Sequence, residues 1–310
     1  ADIETLKDNK PFGAGGNEDM QLGVVYQNGY YYVYVNGVMA TAFEENELLS
    51  GETSIKDSLG SGNRKLGLFA ERKVTFPNWS YSTDVSKYMG NMPDMEWIHA
   101  PFVYDSKNNS YRVTDHNSVA NGGYLEEYAV KKGESFLLEA TVRDMDTELW
   151  PSTGLIVGTD KNHYVRFSVL RNTDVNPNVY ALRAGNANGK EIVKWFADIE
   201  PLKGNKPFGA DDKGNMELGL AYEKGIYYVF VNGVLATTFG ENELLSGEIS
   251  IKDSLGTGNV KLGLFAERKI TFVNWNHSAD VSKYLGNMPK MEWIHSPFVY
   301  DPVTGQYQVT

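Results

Sequence analysis

Short stretches of alternating apolar and polar residues run through most of the chain. In Phe136-Leu-Leu-Glu-Ala-Thr-Val-Arg143, Phe136, Leu138, Ala140 and Val142 fall on one face, and Leu137, Glu139, Thr141 and Arg143 on the other. Tyr164-Val-Arg-Phe-Ser-Val-Leu-Arg171 alternates again, with Val165, Phe167 and Val169 inward. Gly154 to Thr159 reads as a mostly apolar strand, closed by the turn Asp160-Lys-Asn162. Val179 to Ala184 and Glu191 to Phe196 read as two more strands, joined by Gly185-Asn-Ala-Asn-Gly189. In Gly225-Ile-Tyr-Tyr-Val-Phe-Val-Asn-Gly-Val-Leu-Ala-Thr-Thr-Phe239, β-branched and aromatic runs flank Asn232-Gly233. Asn-Gly supplies the two positive φ values of a type I′ turn at least steric cost, so this is a two-residue hairpin.

The hairpin occurs twice, the first time as Gly29 to Phe43. Residues 1–114 align with 197–310 without a gap, and 80 of the 114 positions are identical. Residues 115–196 occur once. The period is 196 residues, the size of a domain and not of a solenoid turn. Leu22 to Tyr26 and Gly29 to Val35 predict a meander, and Phe43 to Gly51 a polar turn region. Lys65 to Ala70 and Lys73 to Trp79 predict a further hairpin with Glu71-Arg72 at its tip. Asp84 to Pro93 lacks alternation and predicts a linker or one short helix. Trp97 to Tyr104 and Tyr111 to Thr114 predict short strands around the turn residues 106–109. About twelve or thirteen strands per period, with turn signals every 8–12 residues, predict an all-β fold: an antiparallel two-sheet β-sandwich or jelly roll, in tandem.

The domain reading follows. Residues 1–84 are the back part of one sandwich, 85–91 a linker, 92–285 a complete sandwich, and 286–310 the start of a following unit or closing strands. The rival division puts the complete unit at 115–310. The front fragment lacks a counterpart of 115–196, so its strand edges are expected to lack partners. Completion by strands of a second copy or of a neighbouring repeat is expected, with 286–310 as donor.

Composition narrows the function. Net charge is −11 at pH 7 and the isoelectric point about 5.0, which argues against nucleic acid and anionic membrane surfaces as partners. No apolar run is long enough to span a bilayer, so membrane insertion is not expected. Cysteine is absent, which excludes disulfides, thiolate metal sites and thiol nucleophiles. A Cys-free, Tyr-, Gly- and Asn-rich β-chain suits an exported bacterial protein.

The order Phe136 to Val142, Gly154-Leu-Ile-Val-Gly158, Asn162-His-Tyr-Val-Arg-Phe167, Tyr228-Val-Phe-Val-Asn-Gly-Val234, Leu262-Gly-Leu-Phe-Ala-Glu-Arg-Lys-Ile-Thr-Phe-Val-Asn-Trp275 resembles concanavalin A-like (laminin G-like) lectin and glucanase jelly rolls. It is also similar to sugar-binding modules attached to some bacterial fructan-degrading enzymes. The resemblance implies that Trp97 lies on the first strand and Trp275 on the last, with the two ends side by side. Its motifs are strand patterns, which bear on fold more than on function.

Glucanases of this fold carry alternating acids, Glu-x-Asp-x-Glu, and Asp144-Met-Asp-Thr-Glu148 is the nearest match here. On a strand, alternation would set the acids on one face, as a retaining glycosidase needs. The leading Asp shortens the nucleophile's reach, and the segment follows Arg143, where the strand ends, and runs into Leu149-Trp-Pro151. A loop is expected, and no enzymatic activity. The acidic loop reads either as a ligand contact or as a solvated surface. Asp160-Lys-Asn162, Asn172-Thr-Asp174 and Asp211-Asp212 hold hard oxygen donors that suit Ca2+, but none has EF-hand spacing and each also reads as an ordinary turn. The five histidines form no ligand pair at useful spacing, and no cofactor is expected. For a sugar, which needs a flat aromatic and planar polar groups, the candidate residues are Asp146, Glu148, Trp150, Tyr164, Arg166, Tyr180, Arg183 and Trp195. Arg166 and Arg183 sit in otherwise apolar strands and need partners, which Asp146 or Glu148 would provide. A salt-bridged sheet surface is the plain alternative. The expected function is a carbohydrate-binding adhesion repeat of a bacterial surface or secreted protein, with glycan as partner. A structural stalk or fibre-forming repeat comes second, and a glycoside hydrolase of the same fold third.

Overall fold

A computed structural model describes residues 20–49, 51–71, 75–89, 92–105, 108–113, 120–143, 151–172, 179–186, 192–195, 215–245, 249–286, 299–301 and 306–308. The chain forms two compact units, Ala1–Met92 and Pro93–Thr310.

The first unit carries β1 (Leu22–Gln27), β2 (Tyr30–Val35), β3 (Val38–Glu44), β4 (Leu48–Leu49), β5 (Thr53–Ser54), α1 (Ile55–Leu59) and α2 (Ser86–Met89). Strands β1, β2 and β3 form an antiparallel meander. Its turns are Asn28-Gly29 and Asn36-Gly37, all four residues at positive φ, as the Asn-Gly signal demands. Residues 65–71 and 75–81 form no strand. That corrects the expected hairpin from Lys65 to Trp79. A strand exists only where neighbours accept its N–H and C=O groups, and the described part of this unit supplies no such neighbour.

The second unit continues with β6 (Met95–Trp97), β7 (Val103–Asp105), β8 (Ser110–Val113), β9 (Ala120–Val130), β10 (Phe136–Arg143), β11 (Ser152–Asp160), β12 (His163–Asn172), β13 (Val179–Asn186) and β14 (Ile192–Trp195). Then come β15 (Met216–Glu223), β16 (Ile226–Val231), β17 (Val234–Gly240), β18 (Leu244–Leu245), β19 (Ile249–Ser250), α3 (Ile251–Ser254), β20 (Val260–Glu267), β21 (Ile270–Ser278), α4 (Ser282–Leu285), β22 (Val299–Asp301) and β23 (Gln306–Gln308). Two seven-stranded antiparallel sheets result, ordered β17-β16-β15-β10-β21-β8-β7 and β14-β13-β12-β11-β20-β9-β6. This is the all-β, two-sheet jelly-roll sandwich the strand pattern predicts.

The core lies between the sheets. Phe136, Leu138, Ala140 and Val142 of one sheet and Val165, Phe167 and Val169 of the other are buried on the inner faces, as alternation requires. Phe167 stacks on Tyr227 with ring centres 5.1 Å apart and meets Phe239 edge-on at 5.6 Å. At the other end Trp97 meets Tyr111 at 6.2 Å and Tyr111 meets Trp275 at 5.0 Å, so the first and last strands come together through Tyr111.

Sequence patterning misplaces one connection. The stretch of the second unit equivalent to 65–79 forms strands β20 and β21, but they belong to different sheets. The short turn between them, with Arg268 at φ 70°, is a corner that carries the chain across the sandwich and not a hairpin.

One outer face is covered. On the β17…β7 sheet, Leu137, Ala221, Tyr228, Phe230 and Leu235 pack beneath Tyr284 and Leu285 of α4. Tyr284 stacks on Phe230 at 4.3 Å and donates to Glu139 Oε1 at 2.8 Å. The outer face of the β14…β6 sheet holds the chemically distinctive residues instead.

Candidate functional site

Inward Val165, Phe167 and Val169 leave Tyr164, Arg166 and Ser168 on the outer face of β12. The floor there is apolar and built from Tyr124, Ile156, Tyr164 and Phe265, with Ile98 and Ala120 against its rim. Two glycines let the strands close up: a Cβ on Gly122 would meet Leu264 O at 2.7 Å, and one on Gly158 would meet Tyr124 Oη at 2.1 Å.

Arg166 is only 2% exposed. Its guanidinium lies 4.3 Å from the centre of the Phe265 ring, and its Nη1 donates to Glu267 Oε1 at 3.1 Å. A buried charge requires such a partner. Glu267 retains 19% side-chain exposure, so the carboxylate is the end of the pair that reaches the surface. The arginine orients it from below.

Beside the pair, Tyr164 Oη and His99 Nε2 share a hydrogen bond of 2.9 Å, and the two rings stand edge to face at 5.3 Å. Burial, and then the positive charge of Arg166, lower the His99 pKa to about 4, so the imidazole is neutral. Burial raises the Tyr164 pKa to about 12, with Arg166 pulling it down and Glu267 pushing it up. Tyr164 therefore keeps its proton to donate. Tyr124 donates to Asp160 O at 2.9 Å, and Lys261 pairs with Glu96 nearby.

Register extends the site toward the sheet edge. Arg166 pairs with Gly185, Ser168 with Arg183, and Arg183 with Trp195. Directly opposed residues of antiparallel strands share a face, so positions 168, 183 and 195 form a row two residues along β12 from Arg166. Tyr180 pairs with Arg171, a position of the other parity, so the backbone register separates it from Arg166, Arg183 and Trp195.

Asp146, Glu148 and Trp150 lie outside the described residues, as do Asp174, Asp211 and Asp212. Among the described residues, an acid that pairs with Arg166 is Glu267, 101 residues away. Asp160 behaves as a turn residue: its Oδ1 accepts from Asn162 N at 2.7 Å and meets His163 Nδ1 at 2.9 Å. Among the described residues no group of three or more His, Asp or Glu converges on a metal position. No helix among them is long and apolar enough to cross a membrane. Sequence reasoning missed Glu267, Phe265 and His99. A signal for the first two was present: Phe265 and Glu267 alternate outward in Lys261-Leu-Gly-Leu-Phe-Ala-Glu267, where Glu267 is the lone acid in an apolar run.

No protein-family model matches the chain, and no curated protein matches it. Among solved structures, the chain is similar to a carbohydrate-binding module, CBM66, from Bacillus subtilis, at 10% identity, covering 61% of this chain and 97% of that one with a TM-score of 0.40. It is similar to a functionally unknown protein from Saccharomyces cerevisiae at 15% identity, covering 60% and 97% with a TM-score of 0.38. The carbohydrate recognition domain of Emp47p is similar at 12% identity, covering 55% and 82% with a TM-score of 0.34. Likeness at this level says nothing about what this chain binds. The strand order of the second unit, two seven-stranded antiparallel sheets face to face, is that of a jelly-roll β-sandwich.

Proposed function

We propose that this chain is a non-catalytic carbohydrate-binding and adhesion module of a bacterial cell-surface or secreted protein, and that it binds glycan on the outer face of the β14…β6 sheet. The reading is carried by one observation. A buried Arg166 sits on Phe265 and holds the partly exposed Glu267, next to the register row that ends in Arg183 and Trp195. A carboxylate fixed in place accepts hydrogen bonds from vicinal hydroxyls, and charge-assisted bonds are the stronger ones. An indole stacks on the apolar face of a sugar ring. Adjacent strands are about 4.8 Å apart, so the row from Ser168 to Trp195 spans roughly 10 Å, enough for one or two sugar rings. Arg166 acts as a positioning residue and is not itself the ligand contact.

A glycan array on the 310-residue chain, followed by calorimetric titration of the hits, tests this. Trp195→Ala is expected to weaken binding by roughly tenfold, the worth of one stacked ring, and Glu267→Gln by a similar factor. An array without hits overturns the reading. Binding that survives both substitutions unchanged overturns the site. In the same reading, incubation with β-glucans, fructans and sialylated glycans releases no reducing sugar.

One observation favours the second reading, a structural repeat that associates through its strands. Residues 65–81 of the first unit expose Leu66, Leu68, Phe69, Trp79 and Tyr81.

A further inference from the structure

The sequence holds five Asn-Gly pairs, and four of them lie among the described residues, at Asn28, Asn36, Asn121 and Asn232. In such a pair the asparagine side chain is open to attack by its own backbone, because glycine has no Cβ to screen the following N–H. The glycine nitrogen adds to the asparagine Cγ and a C–N bond forms. The side-chain nitrogen leaves as ammonia and takes the proton that the glycine nitrogen carried. Water then opens the five-membered imide at either carbonyl, leaving aspartate or isoaspartate. Water is the sole co-reactant. The side chain must turn its Cγ onto the glycine nitrogen, so anything that ties the side chain elsewhere, or engages that nitrogen, slows the reaction.

Three of the four sites are tied. Asn36 Oδ1 accepts from Gln21 N at 2.9 Å, while Asn36 N donates to Gln21 O at 2.8 Å. Asn232 repeats the arrangement with Glu217: its Oδ1 accepts from Glu217 N at 2.8 Å and its N donates to Glu217 O at 2.8 Å. Asn121 lies in β9, with its Nδ2 donating to Pro101 O at 3.0 Å. There the nucleophile itself is engaged, since Gly122 N donates to Ala100 O at 3.1 Å.

Asn28 has the backbone of its two turn counterparts without their tether. The φ values are 51° and 83° at Asn28-Gly29, 52° and 78° at Asn36-Gly37, and 51° and 77° at Asn232-Gly233. Turn geometry is therefore equal, and the side-chain tether is what differs. Asn28 is exposed, and no hydrogen bond holds its side chain. The same hairpin tip is exposed in the second unit, where Lys224 stands in its place. That copy keeps the tethered asparagine at 232 and lacks the untethered one.

We infer that Asn28 is a site of spontaneous modification, converting to aspartate and isoaspartate while Asn36, Asn121 and Asn232 remain amides. The product carries a negative charge where the second copy has a positive one. Isoaspartate also inserts a methylene into the backbone of a two-residue turn whose flanking residues, Gln27 and Tyr30, are paired, so it strains the β1–β2 register. The inference is independent of the sugar-binding reading.

The full chain is incubated at mildly alkaline pH, both folded and in concentrated urea. Tandem mass spectrometry follows each site through the mass gain of an amide turned to an acid. In the folded chain Asn28 is expected to convert at least about tenfold faster than the other three, because each of those must first open locally. In urea the four are expected to convert at similar rates. Gln21→Pro removes the N–H that tethers Asn36 and should bring Asn36 toward the rate of Asn28. Equal rates at the four sites of the folded chain overturn the inference. So does a spread in urea as large as the folded one, which assigns the difference to neighbouring sequence. An Asn36 that stays protected in Gln21→Pro overturns the tether as its cause.

Discussion

At the residue scale, the Arg166–Glu267 pair makes the sharpest demand. Removing one partner of a buried pair costs about 3–5 kcal/mol when both charges are enclosed, but Glu267 is partly solvated. Glu267→Gln is therefore expected to cost about 2 kcal/mol in urea denaturation. The double change Arg166→Met with Glu267→Gln should recover part of that loss, because the two charges of the pair are removed together. A double variant that loses the full sum of both single changes would show the two side chains to be uncoupled. His99 adds a pH dependence. Its folded pKa is held near 4, below its ordinary value of 6.5. Folding therefore favours the neutral ring: the contribution is fully present above about 6.5 and is lost as pH falls from there through about 4. Between pH 7 and 5 the chain is expected to lose about 2 kcal/mol through this group, and His99→Gln should flatten that part of the profile. An unchanged slope in the variant would place the proton uptake elsewhere. The need of Arg166 for a partner is legible from its apolar strand. The identity of that partner is not, because strand order across the sheet brings Glu267 near, and alternation along a strand carries no information about strand order.

Among the elements, glycine shows how one sequence answers to two surroundings. A Cβ on Gly263 would lie 2.1 Å from Gly123 O, a backbone atom that cannot step aside. A Cβ on the equivalent Gly67 meets nothing within 4 Å. Gly263→Ala is expected to cost several kcal/mol or abolish a cooperative melt, since overpacking against backbone has no relaxed alternative. Gly67→Ala should leave the melt of the dilute chain within about 0.5 kcal/mol. Equal losses at both positions would mean that residues 65–71 already sit inside a sheet. Strand positions were largely readable from period-2 alternation, and the Asn-Gly turns from their positive φ. What alternation does not encode is sheet membership. Lys261–Ala266 and Lys269–Trp275 read as a hairpin because both alternate and the connection is short, whereas a corner between two sheets has the same local signature. The outward Leu137 belongs to a second apolar surface, the one beneath α4.

For the whole molecule, the 196-residue period was plain in the sequence, and the two copies of its repeated part differ in burial. Residues 65–81 should therefore be the first cut by chymotrypsin in dilute solution, after Phe69, Trp79 or Tyr81. The equivalent stretch from Lys261 to His277 should survive until the second unit unfolds, because cleavage follows local opening. Simultaneous cleavage of both would contradict the contrast in burial between the copies. The repeat has one more consequence. A protease meets the same local sequence in both copies, Phe69-Ala-Glu-Arg and Phe265-Ala-Glu-Arg, so its sequence preference cancels and the ratio of the two cutting rates reads the opening free energy of the second copy directly.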